Sequence, residues 1–431
     1  MALKTSKKKK KIGKKKMKQK SGSDDFSIFL TGDIVCEILS RLPVKTLMRF
    51  KCVCKSWLSL IEDDSYFIYL HLIRSRLRPC FTLAIPRELV KWCSPGECDH
   101  IRLQKADIVI ADLSETGRMI AGEPPMLVNV RQTVLLNYDE VSKPVNGLVC
   151  FTSTTRPYFG VRIYNLSTRE LSPWIRTTFP KKKKRHVNYL PTYHFGFDPA
   201  TKEHKVICIW DYKQNDSAWY HGCLVMTVGA NTWRTIDGVP QHYLERPAVY
   251  ANGSVHWIAY DLFHGHIRKL LIVAFHVGSE KFTTIVVPKF ITDQFGKDFH
   301  PVTHLLEVND HVALSHVLPR GNITKIWIPD DTTNWREVTL ELPFQWNENR
   351  WVEFHGIAGT DQLFLETYND RTDMKHLSLY SYNWKSKAFT KVETGVLYSS
   401  IPNLTALPEY EKKDEFLCET FIESLLRVPN K

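Results

Sequence analysis

The spacing of apolar residues along this chain changes period once, near Pro79. Upstream the period is helical. With about 100° per residue counted from Ile34, Val35 falls at about 100°, Ile38 at about 40°, Leu39 at about 140° and Leu42 at about 80°. These residues make one apolar stripe, with Cys36, Glu37, Ser40 and Arg41 on the other side. Thr31 predicts an N-cap, Asp33 a first-turn acid that suits the helix dipole, and Pro43 the helix end. A second helical stretch carries Leu47, Phe50, Val53, Cys54, Trp57, Leu58 and Ile61 as its apolar set. A third covers residues 66–77 and stops before Pro79. Roughly 50 residues of short helices make a marginal core. A module spanning residues 26–78 is therefore expected to complete its burial against a partner or against the rest of the chain.

Beyond Pro79 short runs of Val, Ile, Tyr, Phe and Trp are broken by Gly, Asn, Asp and Pro, which predicts many short antiparallel strands. The pattern repeats. An aromatic residue followed three positions later by Ile or Val occurs at Trp233, Phe282, Trp335 and Phe389, at spacings of 49, 53 and 54. Turn pairs interleave with these at Asn146-Gly147, Asn252-Gly253, Asn309-Asp310 and Thr360-Asp361, each preceding an alternating strand. Phe197-Asp198-Pro199 fills the midpoint of the longest gap. A period of about 53 residues with about four strands per unit is that of kelch-type blades. The expected fold is a small all-α module followed by an all-β domain over residues 80–428, a kelch-like β-propeller of about six blades. The recurrent aromatics read as inter-blade core residues rather than a ligand cage. The Gly-Gly pair of kelch repeats is absent.

Charge changes this picture only at one end. The net charge is +12, but residues 1–20 hold eleven Lys and no acid, which leaves about +1 for everything else. Such a segment has almost no apolar surface to bury, so residues 1–25 are expected to be a disordered tail. A nuclear-import signal is its leading functional reading, with loose phosphate contact and a role-free solvated arm as alternatives. A second basic run, residues 181–185, reads as an exposed loop. Nucleic-acid binding would need basic and aromatic residues interleaved on the folded body, and the near-neutral body argues against it. No apolar run approaches the ~20 residues of a membrane span. Ten Cys at irregular spacing, in a chain showing no export signal, read as reduced and mostly buried thiols. The expected location is the nucleus, with the cytoplasm as a second compartment.

Two resemblances follow from longer strings. Leu30-Thr31-Gly32-Asp33-Ile34, then residues 37–45 (Glu-Ile-Leu-Ser-Arg-Leu-Pro-Val-Lys), then Cys52-Val53-Cys54-Lys55-Ser56-Trp57 resemble an F-box of the plant type. The one departure is Thr31, where F-boxes usually carry Pro, which changes how the chain enters the first helix. The resemblance implies docking to a Skp-type adaptor, and through it to a cullin and a RING subunit of a ubiquitin ligase. Leu30, Ile34, Leu42, Pro43, Leu47, Val53 and Trp57 match the family's adaptor-facing or motif-core positions. Residues 145–150, the string from Phe195 to Val206, Thr232-Trp233-Arg234 and residues 252–257 resemble the F-box-associated domain of plant F-box proteins. Residues 421–426 look like that family's closing segment, which periodicity alone leaves as a helix or a strand. That resemblance implies a domain that binds target proteins.

The chain has no phosphate loop, no Gly-x-Ser-x-Gly elbow and no His-Glu-x-x-His helix. Cys93, Cys98 and His100, and separately His264 and His266, offer too few zinc ligands at a recognised spacing. Cys52 and Cys54 read as packing residues of the helical module. No catalytic residue, metal or cofactor is assigned. The leading expectation is a non-catalytic substrate receptor. The alternative is a propeller lectin or enzyme whose F-box only controls its own turnover. Target capture is expected on the longer loops, with Trp210, Trp219 and Tyr220 on one stretch and Trp346 and Trp351 on another as candidate anchors. Packing against a neighbouring blade is their competing role.

Overall fold

A computed structural model describes residues 32–77, 80–92, 100–112, 128–138, 140–154, 159–180, 190–214, 218–245, 247–263, 266–295, 303–318, 322–330, 334–345, 351–356, 363–368, 378–383, 386–392 and 417–428. The Lys-rich tail, Leu30, Thr31, the basic run at 181–185, Trp346, Thr360-Asp361, and Cys93, Cys98 and His264 lie outside these residues.

The N-terminal module has four helices: α1 (Gly32–Leu39), α2 (Val44–Phe50), α3 (Lys55–Asp63) and α4 (Ser65–Ser75). Two expectations are corrected here. Pro43 does not end α1, which stops at Leu39; it stands at the N-cap of α2, where its fixed φ opens the helix. The second stretch is two helices, because Cys54 is fully extended (φ −159°, ψ 162°) and caps α3. The break puts Cys52 and Cys54 in solvent, so they are not packing residues. Asp64 caps α4 by accepting a 2.8 Å hydrogen bond from the Phe67 amide.

The strands that follow form six antiparallel sheets among the described residues. In chain order they are β1 (Cys80–Trp92), β2 (His100–Asp112) and β3 (Val128–Tyr138); β4 (Glu140–Val141), β5 (Leu148–Ser153), β6 (Gly160–Asn165) and β7 (Ile175–Arg176); and β8 (Leu190–Asp198), β9 (Glu203–Gln214), β10 (Ala218–Thr227) and β11 (Trp233–Ile236). The fourth sheet has β12 (Tyr243–Leu244), β13 (Val249–Ala251), β14 (Ser254–Phe263), β15 (His266–His276) and β16 (Lys281–Val286). A short helix, α5 (Lys289–Thr292), leads to β17 (Thr303–Val308), β18 (His311–Leu318), β19 (Ile323–Pro329) and β20 (Trp335–Glu341). The last strands are β21 (Trp351–Gly356), β22 (Leu363–Tyr368), β23 (Ser378–Asn383), β24 (Ala388–Val392) and β25 (Leu417–Phe421).

Strands within each sheet run antiparallel to their neighbours, and successive sheets from the second to the sixth pack face to face. Residues of β9 alternate between two neighbours: Val206, Cys208 and Trp210 join a core shared with β5 and β6, while Ile207 and Ile209 join one shared with β14 and β15. Two further cores join the β14 sheet to the β18 sheet, and the β18 sheet to the β22 sheet. Because both faces of a blade are covered, β5 is buried at all six positions. Trp233, Phe282, Trp335 and Phe389 lie on outermost strands, half-buried at the rims of these shared cores.

The ring closes through the chain ends. β25 pairs antiparallel with β1, from Cys80↔Phe421 to Ala84↔Leu417. It supplies the innermost strand of a sheet whose other three strands begin directly after the helical module. The repeat units are therefore offset from a simple division of residues 80–410, with one blade split between the two ends.

Candidate functional site

The repeated strand order fixes two ends of the propeller. In the second to fifth sheets the innermost strand runs toward one end, and the turn to the second strand lies there. Three of these turns are tight and left-handed, at Asn146-Gly147 (φ 50° and 79°), Asn252-Gly253 (42° and 72°) and Asn309-Asp310 (54° and 64°). The helical module sits on this end. Arg76, just past α4, reaches Asp310 at 3.2 Å, and Lys202 lies 4.4 Å above the Tyr69 ring.

A third contact runs through the chain end. After β25, residues 422–428 cross from blade to module without regular structure. On the blade side the Asn165 side-chain amide donates to the Ser424 and Leu426 carbonyls, at 3.1 and 2.8 Å. The Ser424 amide donates to Ser167 Oγ at 3.0 Å, and the Val428 amide donates to Glu170 at 3.0 Å. Gly147 is required here: its φ is +79°, and a Cβ would stand 2.6 Å from the Ile422 carbonyl oxygen. On the module side Leu425 is buried together with Leu39, Val44, Leu47, Ile61 and Phe67. The expectation that the module needs an outside surface to complete its core is met in part by this chain itself.

The α1 stripe divides between two environments. Leu39 is buried, Val35 and Leu42 are half-buried, and Ile34 and Ile38 are 46% and 49% exposed. Ile34 and Ile38 are four residues apart and share one helix face. Val53, in the turn between α2 and α3, is 59% exposed, and Leu58 is also exposed. Of the sequence-predicted adaptor residues, Ile34, Pro43 and Val53 are exposed, while Leu42 and Trp57 are half-buried. Leu47 is fully buried, which removes it from any adaptor-facing surface and makes it core. The periodicity did not mark Ile38 as exposed, since angle alone cannot say which edge of a stripe faces a neighbour.

Polar contacts hold the stripe in place. Arg41 and Arg74 both bond to the Glu37 carboxylate, linking α1 to α4 and holding that carboxyl below its usual range. The buried His71 bonds to the Leu42 carbonyl at 2.9 Å.

The candidate target anchors need correction. Trp210 is not on a loop: it lies in β9, is 4% exposed, and meets Phe179 edge-on with ring centroids 5.5 Å apart. Its indole lies over Gly222, where any side chain would collide with it. Trp219 and Tyr220 lie in β10, paired with Lys213 and Tyr212, in a β-hairpin where a loop was expected. Trp351 opens β21 and pairs with Tyr368. The strand directions put Trp219, Tyr220 and Trp351 at the end of the propeller remote from the helical module. Among the described residues no cluster of three or more His, Cys, Asp or Glu could hold a metal ion.

A small helical module fixed to one end of a propeller closed by its own C-terminal strand defines the class. A family profile for the F-box associated beta propeller domain matches residues 122–420, and one for the F-box domain matches residues 30–69. The chain belongs to the F-box proteins that carry an F-box associated β-propeller. It is 27% identical over 357 residues to the Arabidopsis thaliana F-box protein At5g65850, covering 79% of this chain and 78% of that one. It is 26% identical over 377 residues to the F-box protein DOR of the same plant, covering 84% of this chain and 87% of that one. Among solved structures it is similar to the β-propeller domain of the Trilobed protease from Pyrococcus furiosus, with a TM-score of 0.33 and 10% identity, over 72% of this chain and 98% of that one.

Proposed function

We propose that this protein is the substrate-recognition subunit of a Skp–cullin–F-box ubiquitin ligase. Its helical module docks a Skp-type adaptor, and its propeller captures a target protein at the end remote from that module. The observation that carries the reading is the exposed apolar set Ile34, Ile38 and Val53 on a module whose core is already filled by other residues. Apolar side chains left exposed on a small module are stabilised by a partner that removes them from water. Membership of the F-box family supports a non-catalytic role, in which other subunits perform ubiquitin transfer. Trp219, Tyr220 and Trp351 are the residues we assign to the target end.

The test is Ile34→Asp combined with Ile38→Asp in the full chain. An unpaired carboxylate facing a desolvated interface costs several kcal/mol, so adaptor affinity should fall by about 100-fold or more. The propeller's circular dichroism should not change, and Lys391→Glu on the exposed face of β24 serves as control. Adaptor binding that survives the double substitution sinks the docking reading.

A further inference from the structure

We infer that residues 422–428 belong functionally to the adaptor-docking module, with Glu423, Leu425 and Arg427 as positioning residues for docking. The inference rests on the docking reading above and adds what holds the docking helices in place. α2 opens at Pro43, which has no side chain able to cap it. The missing acceptor comes from 379 residues away, where Glu423 Oε2 accepts from the Val44 amide at 3.1 Å. Leu425 then fills the space between α1, α2, α3 and α4, against Leu39, Val44, Leu47, Ile61 and Phe67. Arg427 closes the arrangement at the C-terminal end of α3, bonding Glu62 at 2.9 Å and Asp63 at 3.2 Å. Glu62 also takes Lys51, at the end of α2, at 3.0 Å.

Three successive odd-numbered side chains of one short segment therefore grip the two helices that flank exposed Val53. The even-numbered residues face the blade: Ser424 and Leu426 accept from Asn165, and Val428 enters the core shared by β5 and β9. A segment whose successive residues turn to opposite sides is suited to this double attachment. Its upstream strand, β25, is also the strand that closes the ring. Ring closure and the geometry of the docking helices thus depend on adjoining stretches of one segment, residues 417–421 and 422–428.

The experiment measures adaptor affinity and backbone amide exchange in the full-length protein. Leu425→Ala should weaken adaptor binding by about tenfold or more and speed exchange in α2 and α3. Exchange in β9 and β14 should stay as it was, and Leu425→Met should restore binding. Glu423→Gln with Arg427→Gln removes only partly exposed or exposed contacts, so the chain folds, and binding should weaken severalfold. The inference is overturned if both variants bind within twofold of the natural chain with α2 exchange unchanged, while Ile34→Asp with Ile38→Asp abolishes binding. If the latter pair leaves binding intact, the docking reading fails instead. The exchange data then still decide whether the segment holds α2 and α3.

Discussion

Buried side chains of intermediate polarity show what the propeller asks of single residues. Burial keeps the imidazoles of His204, His256 and His316 neutral down to about pH 4, and His204 donates from Nε2 to the Val145 carbonyl at 3.0 Å. Histidines of the unfolded chain take their proton near pH 6.5. Between those values the unfolded state binds more protons, so native stability is full above about pH 6.5 and falls as pH drops toward 4. The loss should be about 2 kcal/mol per histidine at pH 5. Urea titrations at pH 7 and pH 5 check this, and the fall should shrink when His204 or His316 is replaced by Gln. Trp210 tests the opposite property. Because it is core and not a loop anchor, Trp210→Ala should cost about 3–5 kcal/mol of stability. At a permissive temperature it should leave target binding in place, which a pull-down with the folded variant would report.

Turns carry the repeat at the level of elements. The Asn-Gly pairs were legible because left-handed backbone is cheap only for Gly and, less so, for Asn. A second recurrent turn was not. Arg169, Lys202, Asn231, Glu280 and Lys387 all have φ between 54° and 67°. In the first four the amide bonds to a carbonyl four residues earlier, closing one helical turn before the next strand. Long polar side chains at the left-handed position leave no compositional mark, although the Asn or Asp that opens three of these turns does. Asn165, Asp198 and Asn383 each accept backbone amides from within the turn. Two glycines separate local from tertiary strain. Gly253→Ala meets only Pro199 Cδ at 3.1 Å and should cost about 1–2 kcal/mol from its positive φ. Gly147→Ala meets the Ile422 carbonyl as well, so thermal unfolding should show the larger loss, together with faster exchange in residues 422–428.

At the scale of the whole molecule, the proposed function gives opposite ends of the propeller different tasks. The turn-bearing end is occupied by the helical module, held by Arg76, Tyr69 and Leu425. The remote end receives the hairpin with Trp219 and Tyr220 and the start of β21. A target captured there would be held clear of the adaptor, which suits a receptor that presents one protein to a ligase bound at its other end. We propose that the eleven Lys of residues 1–20 act as a nuclear-import signal. Deleting residues 1–20 should move a fluorescently tagged chain out of the nucleus with no change in melting temperature. Unchanged nuclear accumulation would refute that assignment.

The sequence by itself determined the helical module, the all-β domain with its repeat of about 53 residues, the Asn-centred turns and the F-box strings. All of these rest on local propensity or on patterns within one or two turns of chain. It could not determine which edge of the α1 stripe is wet, since Ile34 and Leu39 differ only in what lies opposite them. Nor could it separate buried Trp210 from an exposed anchor, because β9 is covered on both faces and the turn residues nearby looked like a loop. Tertiary structure alone decided that β25 closes the first blade and that Leu425 belongs to the core of helices encoded nearly 400 residues earlier. Such contacts leave no period to read: each partner's own segment satisfies its local rules, and only the closing of the ring brings them together.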